Sequence, residues 1–430
     1  MTSPPAYTPA LPSSTTARHF SLAAVALAMG GFAIGTTEFV TMGLLPDLAG
    51  DLRVPIPLAG HVIAAYALGV VVGAPLIAIL GAALPRRGLL LALMGTFALG
   101  NAASALAVSY EALTVARFFT GLPHGAFFGV AALVAAGMAG PGRRGKAVSL
   151  VMLGLPVANV AGVPAATWMG QHLGWRSAYW AVTLIAVLTI ALVLLHVPAT
   201  APDPRATGRR ELSAFTNPQV WLTLLVGAIG FGGMFAMYSY IAPTVTDVAD
   251  LPASAVPLYL LAFGLGSVLG TLVGGHLADW SMFRSLLASS VAMGLALALF
   301  TVTASHALLG ALTVFLVSAV GSVLVMNLQL RLMHVAGDAQ MLGAALNNSS
   351  LNAANALGAW LGGLVISAGW GYTAPSWVGV GLSVAGLGVL LASAALHRRT
   401  TGAPATILPA GRGLRLAKPE EVLCPGDGPH

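Results

Sequence analysis

The sequence is poor in charged residues and has almost no cysteine, and each shortage excludes a class of protein. Asp, Glu, Lys and Arg make up 7% of the 430 residues, whereas a soluble domain has about 25%. Because 57% of the residues are hydrophobic, the chain cannot cover its surface for water, and we predict an integral membrane protein. The single cysteine, Cys424, excludes an intrachain disulfide and a cysteine-rich metal site.

The hydrophobic residues form runs long enough to cross a bilayer, which takes roughly 20 apolar residues per helix. The first run is too long for a signal-peptide core and no A-x-A cleavage site follows it closely, so we expect it to be retained. Pro, Gly and polar residues divide the runs into twelve predicted spans, at about 20–45, 57–80, 88–108, 112–138, 146–170, 177–197, 219–244, 255–278, 285–304, 307–333, 339–367 and 374–396.

The basic residues indicate the orientation of the spans. An even number of spans places both termini on one side, and cytoplasmic termini put most of the 19 Lys and Arg residues, Arg331 among them, in inside loops and tails. This bias follows the positive-inside rule and explains the net charge of +6 without nucleic acid. We predict a multi-pass plasma-membrane protein with both termini cytoplasmic that is monomeric and binds no nucleic acid.

The two halves of the sequence match each other. The fold prediction is an all-α membrane protein with two pseudo-symmetric six-helix bundles, at residues 19–197 and 219–397. A cytoplasmic linker at 198–218 joins them, between an N-terminal segment at 1–18 and a tail at 398–430, with 1–18 and 400–430 predicted to be disordered. Two such repeats place a site between them near the bilayer midplane. A shift of 197 residues aligns Pro46 with Pro243, Gly69 with Gly266, Gly73 with Gly270 and Arg87 with Arg284.

Glu38 is the only charged residue between Phe20 and Leu45, and a carboxylate there costs about 2.5–3.5 kcal/mol on insertion scales. Arg117 lies at a similar depth in the fourth span. Glu38 has three open interpretations: a structural ion pair with Arg117, direct contact with a cationic substrate, or reversible proton binding, the last two being compatible. We favour proton binding, because burial favours the neutral carboxyl, whereas a nearby cation or a water-filled cavity favours the charged form.

Other polar and aromatic side chains inside the spans are candidates for a proton relay or a substrate site. His124 follows Arg117 by one heptad and is either a proton relay or a neutral hydrogen-bonded histidine. The eleventh span carries an asparagine stripe that either lines a cavity or bonds neighbouring helices. A Met and aromatic cluster in the seventh span suits either variable apolar ligands or ordinary packing. The predicted substrate-binding residues are Glu38, Met42, Asn159, Phe235, Tyr238, Asn348, Asn352 and Asn355.

One short segment imitates a nucleotide-binding loop. GPGRRGKA at 140–147 approaches G-x-x-x-x-G-K-[ST], but Ala147 lacks the hydroxyl that binds Mg²⁺ and no strand precedes the loop. We therefore predict no ATP site, no metal and no cofactor, with the energy supplied by an ion gradient or by the substrate's own gradient.

Three segments carry a family resemblance: GTTEFVTMGLLPDLAGDL in the first span, RFFTGLPHGAFFG in the fourth and GLPVANVAGVPAATWMGQHLGWR in the fifth. The chain resembles the major facilitator superfamily over nearly its full length. More narrowly it is similar to the twelve-span drug:proton antiporters, in the branch of arabinose-efflux-like permeases and chloramphenicol-resistance exporters. The resemblance implies that Arg117 takes the place of the fourth-span arginine linked to proton coupling, and Glu38 that of the membrane acid.

The loop between the second and third spans departs from the family pattern G-x-x-x-D-R-x-G-R-R. Here AILGAALPRR has Ala82 in place of the aspartate, whereas the second-half copy, GGHLADWSMFR, retains Asp279. The resemblance implies gating contacts in which the aspartate is missing from the first half. The predicted gating residues are Arg86, Arg87, Asp279 and Arg284.

The sequence therefore predicts a proton-coupled exporter of small amphipathic compounds that works by alternating access. Its partners are the small-molecule substrate, protons and the bilayer, and phenicol-type antibiotics are the first substrate implied by resemblance. An exporter of sugars or of an endogenous metabolite is the alternative, which the amide-rich spans favour and the Met and aromatic cluster disfavours. A membrane-embedded enzyme or receptor would need a cluster of nucleophile, base or metal ligands, and the sequence shows none.

Overall fold

The protein is a bundle of membrane-spanning helices. A computed structural model describes residues 14–81, 84–139, 144–199, 216–336 and 340–401, and the regular structure within these ranges is entirely helical. Gln340–Ser367 stands where the eleventh span is predicted, so the twelve-span fold is confirmed within the described ranges. The eleven further stretches among them that are long and apolar enough to cross a membrane are Ser21–Gly43, Ile56–Leu80, Arg86–Leu106, Tyr110–Met138, Ala147–Leu173, Arg176–His196, Pro218–Tyr238, Ala253–Ala278, Trp280–Thr303, Ala307–Val335 and Ala374–Leu396.

Several spans are interrupted, and proline accounts for two of the interruptions because it lacks the N–H that the helix ladder needs. The fourth span breaks before Pro123, and in the fifth span a π-helical turn follows Pro156. The eighth and ninth spans are two helices that follow each other directly within Val256–Thr303, and the non-helical backbone of Ser281 divides them. The segments of the interrupted spans are Tyr110–Gly121 and His124–Met138; Arg144–Met152, Gly154–Val157, Ala158–Gly162 and Val163–Leu173; and Pro218–Leu225, Val226–Gly230 and Gly232–Tyr238.

The remaining helices and connecting turns complete the described chain. Besides the first and eleventh spans, five spans of the described chain are continuous helices: the second, third, sixth, tenth and twelfth. Their bounds are Ile56–Leu80, Arg86–Leu106, Arg176–His196, Ala307–Val335 and Ala374–Thr401, while the first helix is Ser14–Gly43 and the short connecting helices are Leu45–Leu52, Ile241–Pro243, Thr244–Val248 and Ala253–Ala255.

The sequence repeat reappears as the same contact in both halves. A side-chain carbon on Gly69 of the second span would overlap the carbonyl oxygen of Phe118 in the fourth. The equivalent Gly266 of the eighth span faces the carbonyl oxygen of Phe315 in the tenth, again 197 residues later in both partners. The close approach of these helix pairs requires glycine, so the pseudo-symmetry predicted from the repeat is confirmed.

The chain ends depart from the predicted segments where the structure describes them. The first helix begins at Ser14, inside the segment 1–18 that was expected to be disordered, and the last helix continues to Thr401, past the predicted start of disorder at residue 400. Most of the linker 198–218, the loop position Ala82 and the tail beyond residue 401 lie outside the described residues.

The two halves meet along two pairs of helices, the second with the eleventh and the fifth with the eighth. At the middle of the fifth and eighth pair, Gly264 faces the backbone carbonyl of Asn159 so closely that a side-chain carbon on Gly264 would overlap it. We call the face where the first span begins and the twelfth ends the chain-end face, and the other the opposite face. At the opposite face, Gln171 Nε2 donates to the Ala253 carbonyl oxygen at 2.9 Å, which joins the two halves.

Candidate functional site

A cavity of about 210 Å³ lies between the two halves. Ligand sites usually enclose about 300–1,000 Å³, so this cavity is contracted, and the halves must separate further to admit a drug-sized molecule. Both halves contribute to its wall, which is mostly apolar with a few polar groups. The lining residues are Glu38, Phe39, His124, Leu155, Pro156, Asn159, Phe231, Met234, Phe235, Phe263, Ser267, Thr271, Ser318, Ser322, Val325, Met326, Gln329, Asn348, Leu351 and Asn352.

An aromatic cluster covers the cavity on the side of the opposite face. Phe39 of the first span packs against Phe235, Tyr238 and Phe263 of the second half, with ring centroids 6.0–6.3 Å apart. Tyr238 stacks on Phe263 with centroids 3.8 Å apart. These rings join the halves near the opposite face, whereas lining residues such as Gln329 lie towards the chain-end face of their helices.

Glu38 lines this cavity next to the aromatic cluster, with 6% of its surface exposed. Its carboxyl group has no hydrogen-bond or ion-pair partner within the described part of the chain. Among the described residues, the one ion pair with a nitrogen–oxygen distance within 4.0 Å joins Arg176 to Asp51. Glu38 and Arg117 therefore form no ion pair within 4.0 Å, and Glu38 lines the cavity instead.

Arg117 is completely buried and is held by neutral groups. Its Nη1 and Nη2 donate to the Oγ1 and the carbonyl oxygen of Thr37, both at 3.1 Å. The guanidinium carbon lies 4.2 Å from the ring centroid of Tyr66 and 5.4 Å from that of Tyr179, which is cation–π geometry. Thr37 directly precedes Glu38 in the sequence. The two hydrogen bonds from Arg117 therefore fix the backbone of the first span next to Glu38.

His124 lines the same cavity as Glu38, and its Nδ1 lies 3.0 Å from the hydroxyl oxygen of Tyr66. Tyr66 is also the residue on which Arg117 stacks. Arg117 and His124, which lie one heptad apart in the sequence, therefore both contact Tyr66. They do so although the break at Pro123 places them on separate helices.

The predicted substrate residues divide into two groups. Glu38, Asn159, Phe235, Asn348 and Asn352 line the cavity. Three others, each at most 1% exposed, lie outside the lining: Met42, Tyr238 and Asn355. Tyr238 belongs to the aromatic cluster, and the Asn355 amide has no hydrogen-bond partner in the described structure.

Two of the predicted gating residues, Arg87 and Arg284, contact residues of their own half. Arg87 Nη2 donates to the Leu194 carbonyl oxygen at 2.6 Å, which joins the third and sixth spans. Arg284 is exposed, with its guanidinium carbon 5.6 Å from the Trp280 ring. Arg86 is half-buried at the start of the third helix, and the side chain of Asp279 lies outside the described residues.

Sequence reasoning missed part of the cavity wall. Ser267 and Thr271 of the eighth span and Ser318 and Ser322 of the tenth all line the cavity. Their signal was the four-residue spacing of hydroxyls within apolar spans, which places each pair on one helix face.

Arg331 corrects the prediction that it lies in an inside loop. It is 6% exposed within the tenth helix and donates to Thr223, Gln219 and Ser393. The guanidinium thereby joins the seventh, tenth and twelfth spans, because burial makes each of its N–H groups seek an acceptor.

The family model for the Major Facilitator Superfamily matches residues 27–341. The chain belongs to the major facilitator superfamily. It is 40% identical to the inner membrane transport protein YdhP of Escherichia coli K12 over 368 residues, which covers 85% of this chain and 94% of YdhP. Members of this superfamily are transporters rather than enzymes, so the protein is a multi-pass membrane transporter of a small-molecule substrate.

Further comparisons support the predicted branch of the superfamily. The chain is 33% identical to the chloramphenicol resistance protein of Streptomyces lividans, covering 88% of this chain and 97% of that protein. It is 32% identical to the putative transporter AraJ of E. coli K12, covering 85% and 93% respectively. Among solved structures, a D-xylose–proton symporter shares the fold with a TM-score of 0.69 and 15% identity, covering 86% of this chain and 97% of the symporter.

Proposed function

We propose that this transporter is a proton-coupled exporter of small amphipathic compounds, phenicol-type antibiotics among them. The observation that carries the proposal is Glu38, a buried carboxyl group that lines the cavity between the halves without a hydrogen-bond or ion-pair partner among the described residues. Such an acid is free to take up a proton in one state and to release it in another, because its surroundings change with the cavity.

The cavity wall supports an amphipathic substrate. Phe39, Phe231, Phe235 and Phe263 provide aromatic surface, and Met234 and Met326 add side chains that adapt to different shapes. The similarity to a chloramphenicol resistance protein over most of both chains points to the same substrate class.

Alternating access requires that the two halves separate at one face while they close at the other. The aromatic cluster and the Gln171–Ala253 hydrogen bond close the opposite face. In this cycle Glu38 binds a proton from the side to which substrate leaves and releases it to the other side. Arg117 keeps the first span, and with it Glu38, in place.

The decisive experiment measures chloramphenicol transport in sealed vesicles that contain the purified protein. In the Glu38→Gln variant we expect uptake driven by an imposed pH gradient to fall to the level of empty vesicles. Exchange of labelled for unlabelled chloramphenicol without a gradient should continue, because a permanently neutral side chain still allows the cavity to change face. The matched control is Glu111→Gln, which alters an exposed carboxylate at the end of the fourth span that lies at the opposite face.

A loss of both exchange and gradient-driven uptake in Glu38→Gln would assign the carboxyl to substrate contact instead of proton transfer. The second candidate function, export of a sugar or an endogenous metabolite, is favoured by the hydroxyl and amide groups in the wall. Labelled pentoses and hexoses in the same vesicles test it. Gradient-driven sugar flux without any chloramphenicol flux would refute the antibiotic proposal and support sugar export.

A further inference from the structure

The eighth and tenth spans carry a set of hydroxyl groups that no step of the proposed transport cycle uses. Ser267 and Thr271 lie four residues apart on one helix, and Ser318 and Ser322 lie four apart on the other. All four line the cavity. The two helices approach closely at Gly266, where a side-chain carbon would overlap the backbone of the tenth span, so the hydroxyls of one helix reach acceptors on the other.

A serine or threonine inside a helix usually donates its hydroxyl proton to the carbonyl oxygen four residues earlier. Thr271 does so, donating to the Ser267 carbonyl oxygen at 2.8 Å. The equivalent acceptor for Ser267 is the carbonyl oxygen of Phe263. That oxygen instead accepts the hydroxyl of Ser318 from the neighbouring helix, at 2.6 Å.

Ser267 is therefore displaced from its usual intrahelical bond. Its Oγ accepts a hydrogen bond from Ser322 at 3.2 Å, and its own proton has no acceptor in the described part of the chain. The side chain is only half-buried and lines the cavity. Because no acceptor among the described residues competes for this proton, a ligand oxygen that accepts it displaces only water, and such an exchange tightens binding about three- to tenfold.

We propose that Ser267 determines substrate specificity by donating a hydrogen bond to an acceptor on the bound compound. This inference rests on the proposed function, in which the cavity binds the exported molecule. The acceptor is a carbonyl, nitro or hydroxyl oxygen attached to an aromatic or apolar body. One helical turn away, Phe263 belongs to the aromatic cluster that would receive such a body. Ser318 is a positioning residue, because it occupies the carbonyl that would otherwise hold the Ser267 proton.

Binding of two probes to the purified protein tests the role of Ser267. Chloramphenicol carries nitro, carbonyl and hydroxyl oxygens, whereas tetraphenylphosphonium is a lipophilic cation that has no hydrogen-bond acceptor. In Ser267→Ala we expect the Kd for chloramphenicol to rise about three- to tenfold, the loss of one neutral hydrogen bond. The Kd for tetraphenylphosphonium should stay within about twofold, which is below the effect of one hydrogen bond.

Two further variants separate this role from general damage to the cavity. Thr271→Ala is the matched control, because the Thr271 proton is already bonded within its own helix. Ser318→Ala should reproduce the effect of Ser267→Ala, since it frees the Phe263 carbonyl to accept the Ser267 proton. The double variant should then be no worse than either single variant. Equal losses for both probes, or a Thr271→Ala effect as large as that of Ser267→Ala, would overturn the proposal.

A second measurement needs no ligand and so separates this inference from the proposed function. In a Cys424→Ser background, a small thiol reagent should label Ser267→Cys rapidly and Ser318→Cys slowly, because Ser318 is 1% exposed. If neither probe binds the wild-type protein, the antibiotic proposal fails while the labelling still decides whether position 267 faces the cavity. Faster labelling at 318 than at 267 would contradict the inference.

Discussion

At the scale of single residues, Glu38 is distinguished by its place in the repeat as well as by its charge. The position 197 residues later is Phe235, which also lines the cavity and packs against Phe39. The same structural position thus carries an acid in one half and an aromatic ring in the other. The position of the buried Arg117 in the first half is likewise not repeated, because the equivalent position in the second half is Val314.

Arg117→Lys tests whether the planar guanidinium is needed in addition to the positive charge. A lysine cannot make both bonds to Thr37 while stacking on Tyr66. Each hydrogen bond to a charged group contributes about 1.5–3 kcal/mol, so we expect a stability loss of about 2–3 kcal/mol. Gradient-driven chloramphenicol uptake should fall to the level of Glu38→Gln. Thermal unfolding and vesicle transport measure the two effects.

The exposed Arg53 is the control for that substitution. Arg53→Lys should leave both stability and uptake close to the wild-type values. Unchanged uptake in Arg117→Lys would show that a positive charge alone is sufficient at this position.

At the scale of helices, one cluster joins three elements of the first half at the opposite face. Asp51 accepts hydrogen bonds from Trp175 Nε1 at 3.0 Å and from Arg176 Nη1 at 2.5 Å. Arg176 Nη2 also donates to the carbonyl oxygen of Ala107 at 2.9 Å. The cluster therefore links the short helix after the first span to the end of the third and the start of the sixth.

The bonds from Arg176 and Trp175 hold the pKa of Asp51 below its usual value of 3.8. The charged form is thus favoured in the folded protein, so the contribution to stability is present above pH 3.8 and disappears as the pH falls through the lower folded pKa. Because the Asp51 side chain is 46% exposed, we expect Asp51→Asn to cost about 1 kcal/mol or less at neutral pH.

Unfolding of wild type and Asp51→Asn between neutral and strongly acidic pH measures this difference, which should shrink towards zero at the acidic end. Arg176→Gln should remove the same contribution, and the double variant should cost less than the sum of the two single variants. A difference that grows on acidification would refute the assignment.

At the scale of the whole molecule, closure of the opposite face depends on a glycine that meets the other half. Gly60 of the second span lies against the hydroxyl of Tyr240, which follows the seventh span, and a side-chain carbon on Gly60 would overlap that hydroxyl. Tyr240 is fixed by its hydrogen bond to the Ala359 carbonyl oxygen at 2.7 Å. Because Tyr240 cannot move easily, the halves close here only if position 60 has no side chain.

Gly60→Ala should therefore favour the state that is open at the opposite face. Overpacking of a tight contact costs about 1–3 kcal/mol, and here the cost falls on the closed state alone. Spin labels on Gly50→Cys and Asp247→Cys, with Cys424→Ser, report the separation of the halves at that face, and a longer distance should become populated. Gly95→Ala, with no atom within 4 Å of the added carbon, should leave the distance distribution unchanged.

The sequence by itself determined the membrane location, the twelve spans, the repeat and the exceptional position of Glu38. Hydrophobicity, helix length and glycine spacing act locally along the chain and can be counted on it. The side of each helix that faces the cavity was decided by tertiary packing. The asparagine stripe illustrates this, since Asn348 and Asn352 line the cavity while Asn355, one turn further on, is buried outside it.

The hydrogen-bond partners that a side chain finds on other helices likewise could not be predicted from the sequence. Nothing in the sequence places Thr37 against Arg117, or lets Ser318 take the carbonyl that Ser267 would otherwise use. Those pairings depend on how closely two helices cross and at which residue. Local periodicity does not encode either quantity, because both result from the packing of the whole bundle.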